Sequence, residues 1–195
     1  VQELYLEGYN VDAREIDGSI RAITHSWLNI PGLSNWLNMP SAYYDLEWDD
    51  PQRKTYREMI AYETIQANNK VLATMSLENL VPKIYQRIDG QIIEHDMRSE
   101  GCVNFAKPMD GFSRGFTNIL SLDLFSPTFD YESDHLLSNQ PMVYASQDVL
   151  VLTENAWDWW WFWGQDDIDD MTNIHTFDIS IPGTTTYTGS GRIDG

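Results

Sequence analysis

The sequence predicts a mainly β protein made of repeated antiparallel, blade-like units and interrupted by a helical insertion. Three observations carry that reading. The stretch TNILSLDLF at 117–125 returns as TNIHTFDIS at 172–180, so Thr-Asn-Ile-x-x-φ-Asp-φ, with φ apolar, recurs after 55 residues. Upstream, SIRAIT at 19–24 lines up in the same order with DVLVLT at 148–153: Ile20 with Val149, Ala22 with Val151, Ile23 with Leu152, Thr24 with Thr153. Between the two halves of the first unit, residues 25–116 change from strand-like to helical patterning.

Taken in order, residues 9–24 read as two short strands around Asp17-Gly18, a dipeptide suited to tight hairpin turns because both positions tolerate positive φ. Helix-start chemistry follows at Asp50-Pro51, where Asp caps and Pro fits the first helical position. Tyr56, Met59, Ile60, Ala67 and Val71 then recur at helical spacing, with Glu63 on the rim of the stripe. A second short helix is expected after Ser76, limited by Pro82, so helices occupy about 51–86. IDGQIIEH supplies another Asp-Gly turn and a return to strand. The second unit repeats the hairpin and Thr-Asn-Ile strands, with Glu154 to Met171 between them.

Short strands in units of about 40–55 residues point to propeller blades. Two units cannot close a propeller, which has typically 4–8 blades. The fold class is therefore a partial beta-propeller, about two blade-like antiparallel units, with residues 1–195 a single domain that is a fragment of a larger one and 25–116 its insertion.

Composition excludes several functions. Thirty acids against 12 bases give a net charge of −18. Phosphate backbones and anionic lipid surfaces need clustered Lys and Arg, so nucleic acid is not a partner. No run of about 18 apolar residues exists, so the chain does not itself span a membrane. Cys102 is the only cysteine and cannot make an intrachain disulfide; it reads as a small buried hydrophobe. The chain starts at Val1 without a basic-then-apolar leader, which suggests either a removed targeting segment or an internal piece.

Several stretches carry a resemblance. MVYASQDVLVLTEN, TNIHTFDIS and TYTGSGRIDG are similar to successive strands of a bacterial and archaeal beta-propeller domain family, secreted proteins with a C-terminal beta-propeller domain. Val143 to Ser146, Ile174, His175, Phe177 and Gly189 to Gly191 match the pattern. AREIDGSIRAITHS and SLENLVPKIY resemble two further segments. Asp194 stands where the family usually has Pro, and Arg21 where it often has an aromatic residue. The resemblance implies an extracytoplasmic location (secreted, periplasmic or cell-surface) and supplies no catalytic residue.

The most unusual composition is WDWWWFWGQDDIDD at 157–170. Six aromatics in seven positions cannot all face one core in an alternating strand. Trp157, Trp159, Trp160, Trp161 and Trp163, with Phe162, either form a ligand platform for a glycan, peptide or partner protein, or pack a blade edge. Asp166, Asp167, Asp169 and Asp170 offer the hard oxygen ligands that suit calcium, without EF-hand spacing. No other cofactor is expected. His25, His95, His135 and His175 are dispersed, with no pair at zinc spacing, and neither a nucleophile elbow nor a phosphate-cradling Gly loop is present.

The best reading is a non-catalytic, exported binding module that self-associates through exposed blade faces. Its runner-up is a hydrolase using carboxylates on a propeller face. Clustered carboxylates with raised pKa values in a pocket would favour the second.

Overall fold

The computed structural model describes residues 2–76, 78, 80–95, 105–107, 113–128, 130–155 and 171–194. The chain forms two compact units: residues 29–80, and the remainder (1–28 with 81–195).

Among its described residues the larger unit forms three sheets. A three-stranded sheet has the order β1 (Gln2–Leu6), β4 (Ile84–Ile88), β5 (Gln91–His95). A five-stranded sheet has the order β2 (Tyr9–Ile16), β3 (Ser19–Trp27), β7 (Gly115–Asp123), β8 (Tyr131–Ser138), β6 (Phe105–Ala106), antiparallel except for β6 on β8. A four-stranded antiparallel sheet runs β12 (Thr186–Asp194), β11 (Met171–Asp178), β10 (Val149–Asn155), β9 (Met142–Ala145). The two echoing units thus become the four- and five-stranded sheets, and a third sheet that echoes neither accompanies them.

Local chemistry explains the strand pairings. Asp17-Gly18 and Asp89-Gly90 all have positive φ, and each pair turns a hairpin. Pro82 stops any helix, and in the alternation of β4 Ile84 and Gln86 are buried. The helical span expected over about 51–86, with a second short helix after Ser76, is thus corrected at its end: α2 stops at Thr74 and residues 84–88 are strand.

The three sheets stack with the five-stranded one in the middle. One of its faces presents Ile23, Ile119 and Leu136 to Leu150, Leu152 and Phe177 of the four-stranded sheet. Its other face sets Leu120 and Ala22 against Val81, Ile84, Leu4 and Leu6. All but the last residue of β7 are consequently buried, since this strand is covered on both sides.

The Thr-Asn-Ile motif has a structural purpose. Asn118 donates from Nδ2 to Thr24 Oγ1 on β3 at 3.2 Å, and its Oδ1 meets His135 Nδ1 on β8 at 2.8 Å. In the four-stranded sheet Asn173 donates to Glu154 on β10 at 3.3 Å and accepts from Arg192 on β12 at 3.0 Å. Each Asn ties together three strands of its sheet. The pairings Thr24–Asn118 and Glu154–Asn173 make Thr24 the counterpart of Glu154 and Ile23 that of Thr153. The echo between 19–24 and 148–153 is therefore displaced by one residue. Both stretches carry apolar residues at adjacent positions, and such a pattern cannot fix which face is which.

Two outer faces differ in character. On the three-stranded sheet, Arg87 pairs with Glu3 and lies over the Tyr5 ring, and Lys83 pairs with Glu94. The outer face of the four-stranded sheet instead carries exposed Met142, Tyr144, Val149 and Ile193 around half-buried Val151 and Ile174.

The smaller unit holds α1 (Ser41–Tyr44) and α2 (Pro51–Thr74). Asp50 caps α2 by accepting from the Gln52 amide at 2.8 Å. Its half-buried stripe is Arg53, Tyr56, Ile60, Thr64, Asn68 and Val71, whereas Met59 and Ala67, expected on that stripe, are exposed. Residues 29–50 supply the cover: Ser34 bonds Asn68 in both directions, Gly32 lies against Val71, and Tyr43 meets Tyr56 edge-on. Arg53 donates to the Leu46 carbonyl and sits over Tyr43 and Trp48.

Candidate functional site

A cleft of about 320 Å³ opens between the five- and four-stranded sheets. The edge of the first contributes Phe105 and Ala106 from β6 and Glu132, Asp134 and His135 from β8. The second contributes Phe177 from β11 and Thr185, Thr186 and Tyr187 around the start of β12. Glu132 and Asp134 are two apart on a strand and so share a face, the one that Leu136 continues into the core.

Electrostatics separates these two acids. Glu132 lies near the Arg21 guanidinium and is held by the Thr185 backbone N–H; burial nevertheless pushes its pKa above the usual carboxylate range. Asp134 is only 9% exposed, and its Oδ2 has no hydrogen-bond partner among the described residues. Burial, followed by the charge of Glu132, pushes its carboxyl up to about 7. Below them, Ser121 and Thr185 join hydroxyls at 2.5 Å. His135 stacks on Phe105 with ring centroids 4.6 Å apart, and burial lowers its pKa to about 4. Phe177 meets Tyr187 edge-on at 5.3 Å.

Arg21 acts on Glu132 from the neighbouring part of β3. It is 2% exposed, and its Nη2 donates to the carbonyls of Ile179 at 3.3 Å, Ile181 at 2.9 Å and Thr184 at 2.7 Å. The departure from the aromatic that the resembled family often carries is thus a cross-link, tying β3 to the β11–β12 connection. Gly183, at φ +75°, sits in that connection against Asp123, and its amide donates to Ser19 Oγ.

A second polar group lies further along the same interface. His25 Nδ1 meets Thr117 Oγ1 at 3.0 Å, and Thr117 meets Ser138 Oγ at 2.6 Å. Across from them Glu154 accepts from the Asn139 amide and lies 3.6 Å from His175 Nε2. Serine, histidine and carboxylate invite a catalytic reading, but Ser138 and His25 are 0% exposed and Ser138 bonds Thr117 rather than a base. Burial lowers the His25 pKa to about 4, against the opposing charge of Glu154. This group is packing, not chemistry.

Of the residues singled out in the sequence, Trp157, Trp159, Trp160, Trp161, Trp163, Asp166, Asp167, Asp169 and Asp170 lie outside the described residues, as does Cys102. His175, matched in the sequence to Leu120, faces the five-stranded sheet as Leu120 faces the three-stranded one, consistent with packing. Glu132 and Asp134 escaped sequence reasoning. The available signal was YESDHLLS at 131–138, where acids occupy the alternation that ends in buried Leu136. Among the described residues no three His, Cys, Asp or Glu side chains gather as a metal site.

The fold is mainly β, with stacked and mostly antiparallel sheets of which two share one sequence motif, and the candidate site lies between neighbouring sheets. Comparison with known proteins is specific on the family: a model describing a beta propeller domain matches residues 1–195, and the chain belongs to that family. No curated protein and no solved structure matches it. Among the described residues no helix is long and apolar enough to cross a membrane.

Proposed function

We propose that this propeller module is a non-catalytic binding protein that works outside the cytoplasm and takes a compact ligand in the cleft between β8 and β12. One observation carries the reading. An open cleft with aromatic walls holds a nearly buried carboxylate whose Oδ2 lacks a partner among the described residues, and a buried acceptor left unmade costs stability unless a ligand satisfies it. Export rests on the family resemblance in the sequence. Self-association through the apolar outer face of the four-stranded sheet belongs to the same reading, as does calcium at 166–170 if a metal is bound.

The hydrolase alternative has one observation in its favour: a carboxyl at about 7 beside a second acid can give and take protons near neutrality. Against it, the hydroxyl of Thr185 in the cleft lining is bonded to Ser121 and not to either acid. Chromogenic ester and glycoside substrates decide this; turnover lost in Asp134→Asn would favour the enzyme.

The binding reading is tested by NMR of the intact chain with mixtures of small polar and aromatic compounds. Shifts should cluster at Thr185, Thr186, Tyr187 and Phe177, and Thr186→Trp, which fills the cleft from an exposed position, should abolish them. Shifts that gather elsewhere, or that survive the substitution, would overturn it.

A further inference from the structure

The chemistry of the cleft is more selective than its shape. Building on the binding reading of this same site, we propose that the Glu132–Asp134 cleft selects a small organic monocation, a primary ammonium or guanidinium group on a short apolar stem.

Charge sets the valence. Two carboxylates enter the cleft, and buried Arg21 lies beside Glu132 with its Nη2 already committed to three backbone carbonyls. One acidic charge is thereby offset, leaving that of Asp134 for a ligand. Its Oδ2, unpartnered among the described residues in a side chain 9% exposed, is an acceptor suited to a charged N–H donor.

The walls set the rest. Phe105 on β6 lines the cleft with its ring stacked on His135, and the Phe177–Tyr187 pair lines it from the facing sheet. Aromatic faces attract ammonium and guanidinium groups and shed water from an alkyl stem. A volume of about 320 Å³ equals roughly ten waters at ~30 Å³ each, enough for a short-stemmed amine. Calcium fits poorly, because it takes 6–8 oxygen ligands and the described residues bring no third acid.

Binding must also compete with a proton. The charged and titratable groups facing Asp134 are Glu132 on its own strand, Arg21 on β3 and Tyr187 on β12; His135 turns to the opposite face, toward Asn118, and His175 on β11 is paired with Glu154. With the Asp134 carboxyl at about 7, its ionised fraction rises about tenfold between pH 6 and pH 8. Affinity for a cation should rise by the same factor, and removing Glu132's repulsion should move the midpoint below 7.

Calorimetry and NMR on the intact chain test this with four probes: n-butylammonium, n-butylguanidinium, neutral n-pentanol and Ca²⁺. The expected result is cleft binding by both organic cations, about tenfold tighter at pH 8 than at pH 6. Asp134→Asn should lose both affinity and pH dependence, and Glu132→Gln should bind with its midpoint shifted to lower pH. Equal binding of pentanol and butylammonium, Ca²⁺ binding in their place, or unchanged cation affinity in Asp134→Asn would overturn the monocation assignment. If pentanol still shifts Phe177 and Tyr187, the binding reading survives that failure. Should no probe perturb those residues at either pH, both fall.

Discussion

Replacing Arg21 with Met keeps the aliphatic stem and removes the guanidinium that joins β3 to the β11–β12 connection. Three carbonyls then lose their donor: Ile179, Ile181 and Thr184. A buried group left unsatisfied costs about 1–3 kcal/mol. Ile181 is exposed and Thr184 half-buried, so water can take over there, while the carbonyl of buried Ile179 is left stranded. Glu132 also loses its neighbouring positive charge, and breaking a buried charged pair costs about 3–5 kcal/mol when both partners are enclosed. Because Glu132 is only half-buried, a total of about 3 kcal/mol is the reasonable expectation. For a chain of this size each kcal/mol lowers Tm by about 2–4 °C, so the variant should melt about 6–12 °C lower. Urea titration followed by circular dichroism gives the free energy directly. A double variant, Arg21→Met with Glu132→Gln, should recover about 1 kcal/mol by removing the uncompensated acid. A loss below about 1 kcal/mol in the single variant, or no recovery in the double, would refute the cross-link.

Three further outcomes are expected. Stability against pH should rise from about 4 and level off near 7: His25 and His135, lowered from 6.5 to about 4, stay neutral when folded and cost stability as pH falls through that window, while Asp134, raised to about 7, loses stability as pH rises from 4 to 7 and so offsets part of the histidine gain. Denaturant titrations on Asp134→Asn should show a steeper rise between pH 4 and 6.5 than the parent, because the opposing contribution of the carboxyl is gone; an unchanged profile would contradict the assignment. Gly115→Ala should destabilise by about 3 kcal/mol or prevent folding, since its Cβ would meet the Ser26 carbonyl oxygen at 2.4 Å and His25 Nε2 at 2.6 Å; a melt within 2 °C of the parent would count against this. Finally, sedimentation across a concentration series should show association that Val151→Lys abolishes and Tyr85→Lys, on the ion-paired face of the three-stranded sheet, leaves alone; a parent that stays monomeric sinks the idea.

Much of this fold was legible because repetition and turn chemistry are local. Asp17-Gly18, Asp89-Gly90 and Asp50-Pro51 each act within a few residues, and the structure has a turn or cap at every one. The Asn of Thr-Asn-Ile recurs because it ties three strands in each of two sheets, so a packing requirement left a trace in the sequence. Register at β3 and β10 was less legible, since β3 is covered on both faces and β10 carries apolar residues on its outer face as well, so neither shows the apolar–polar alternation that fixes it. The third sheet was hidden for a different reason: β1 finds β4 across the whole smaller unit, and β5 is an exposed edge without apolar alternation. As for the cleft, the Glu132–Asp134 pair of β8, Phe177 of β11 and Tyr187 of β12 come from three strands with no common spacing, so only the stacking of two sheets brings them together. Arg21 reads as an ordinary polar position until the carbonyls it meets, some 160 residues away, are in place.

The length of chain between β3 and β7 also sets the order in which the five-stranded sheet can be made. β3 and β7 pair from Ser19–Asp123 to Trp27–Gly115, yet the whole stretch between Trp27 and Gly115 must be synthesised before the pairing starts. At translation speeds of about 5–20 residues per second, roughly 90 residues take on the order of 4 to 18 seconds. Throughout that delay the β2–β3 hairpin holds Ile23 and an unpaired β3 edge open to other nascent chains. On the ribosome, then, this hairpin is the segment with the longest wait for its partner and the place where a chaperone would have most to shield.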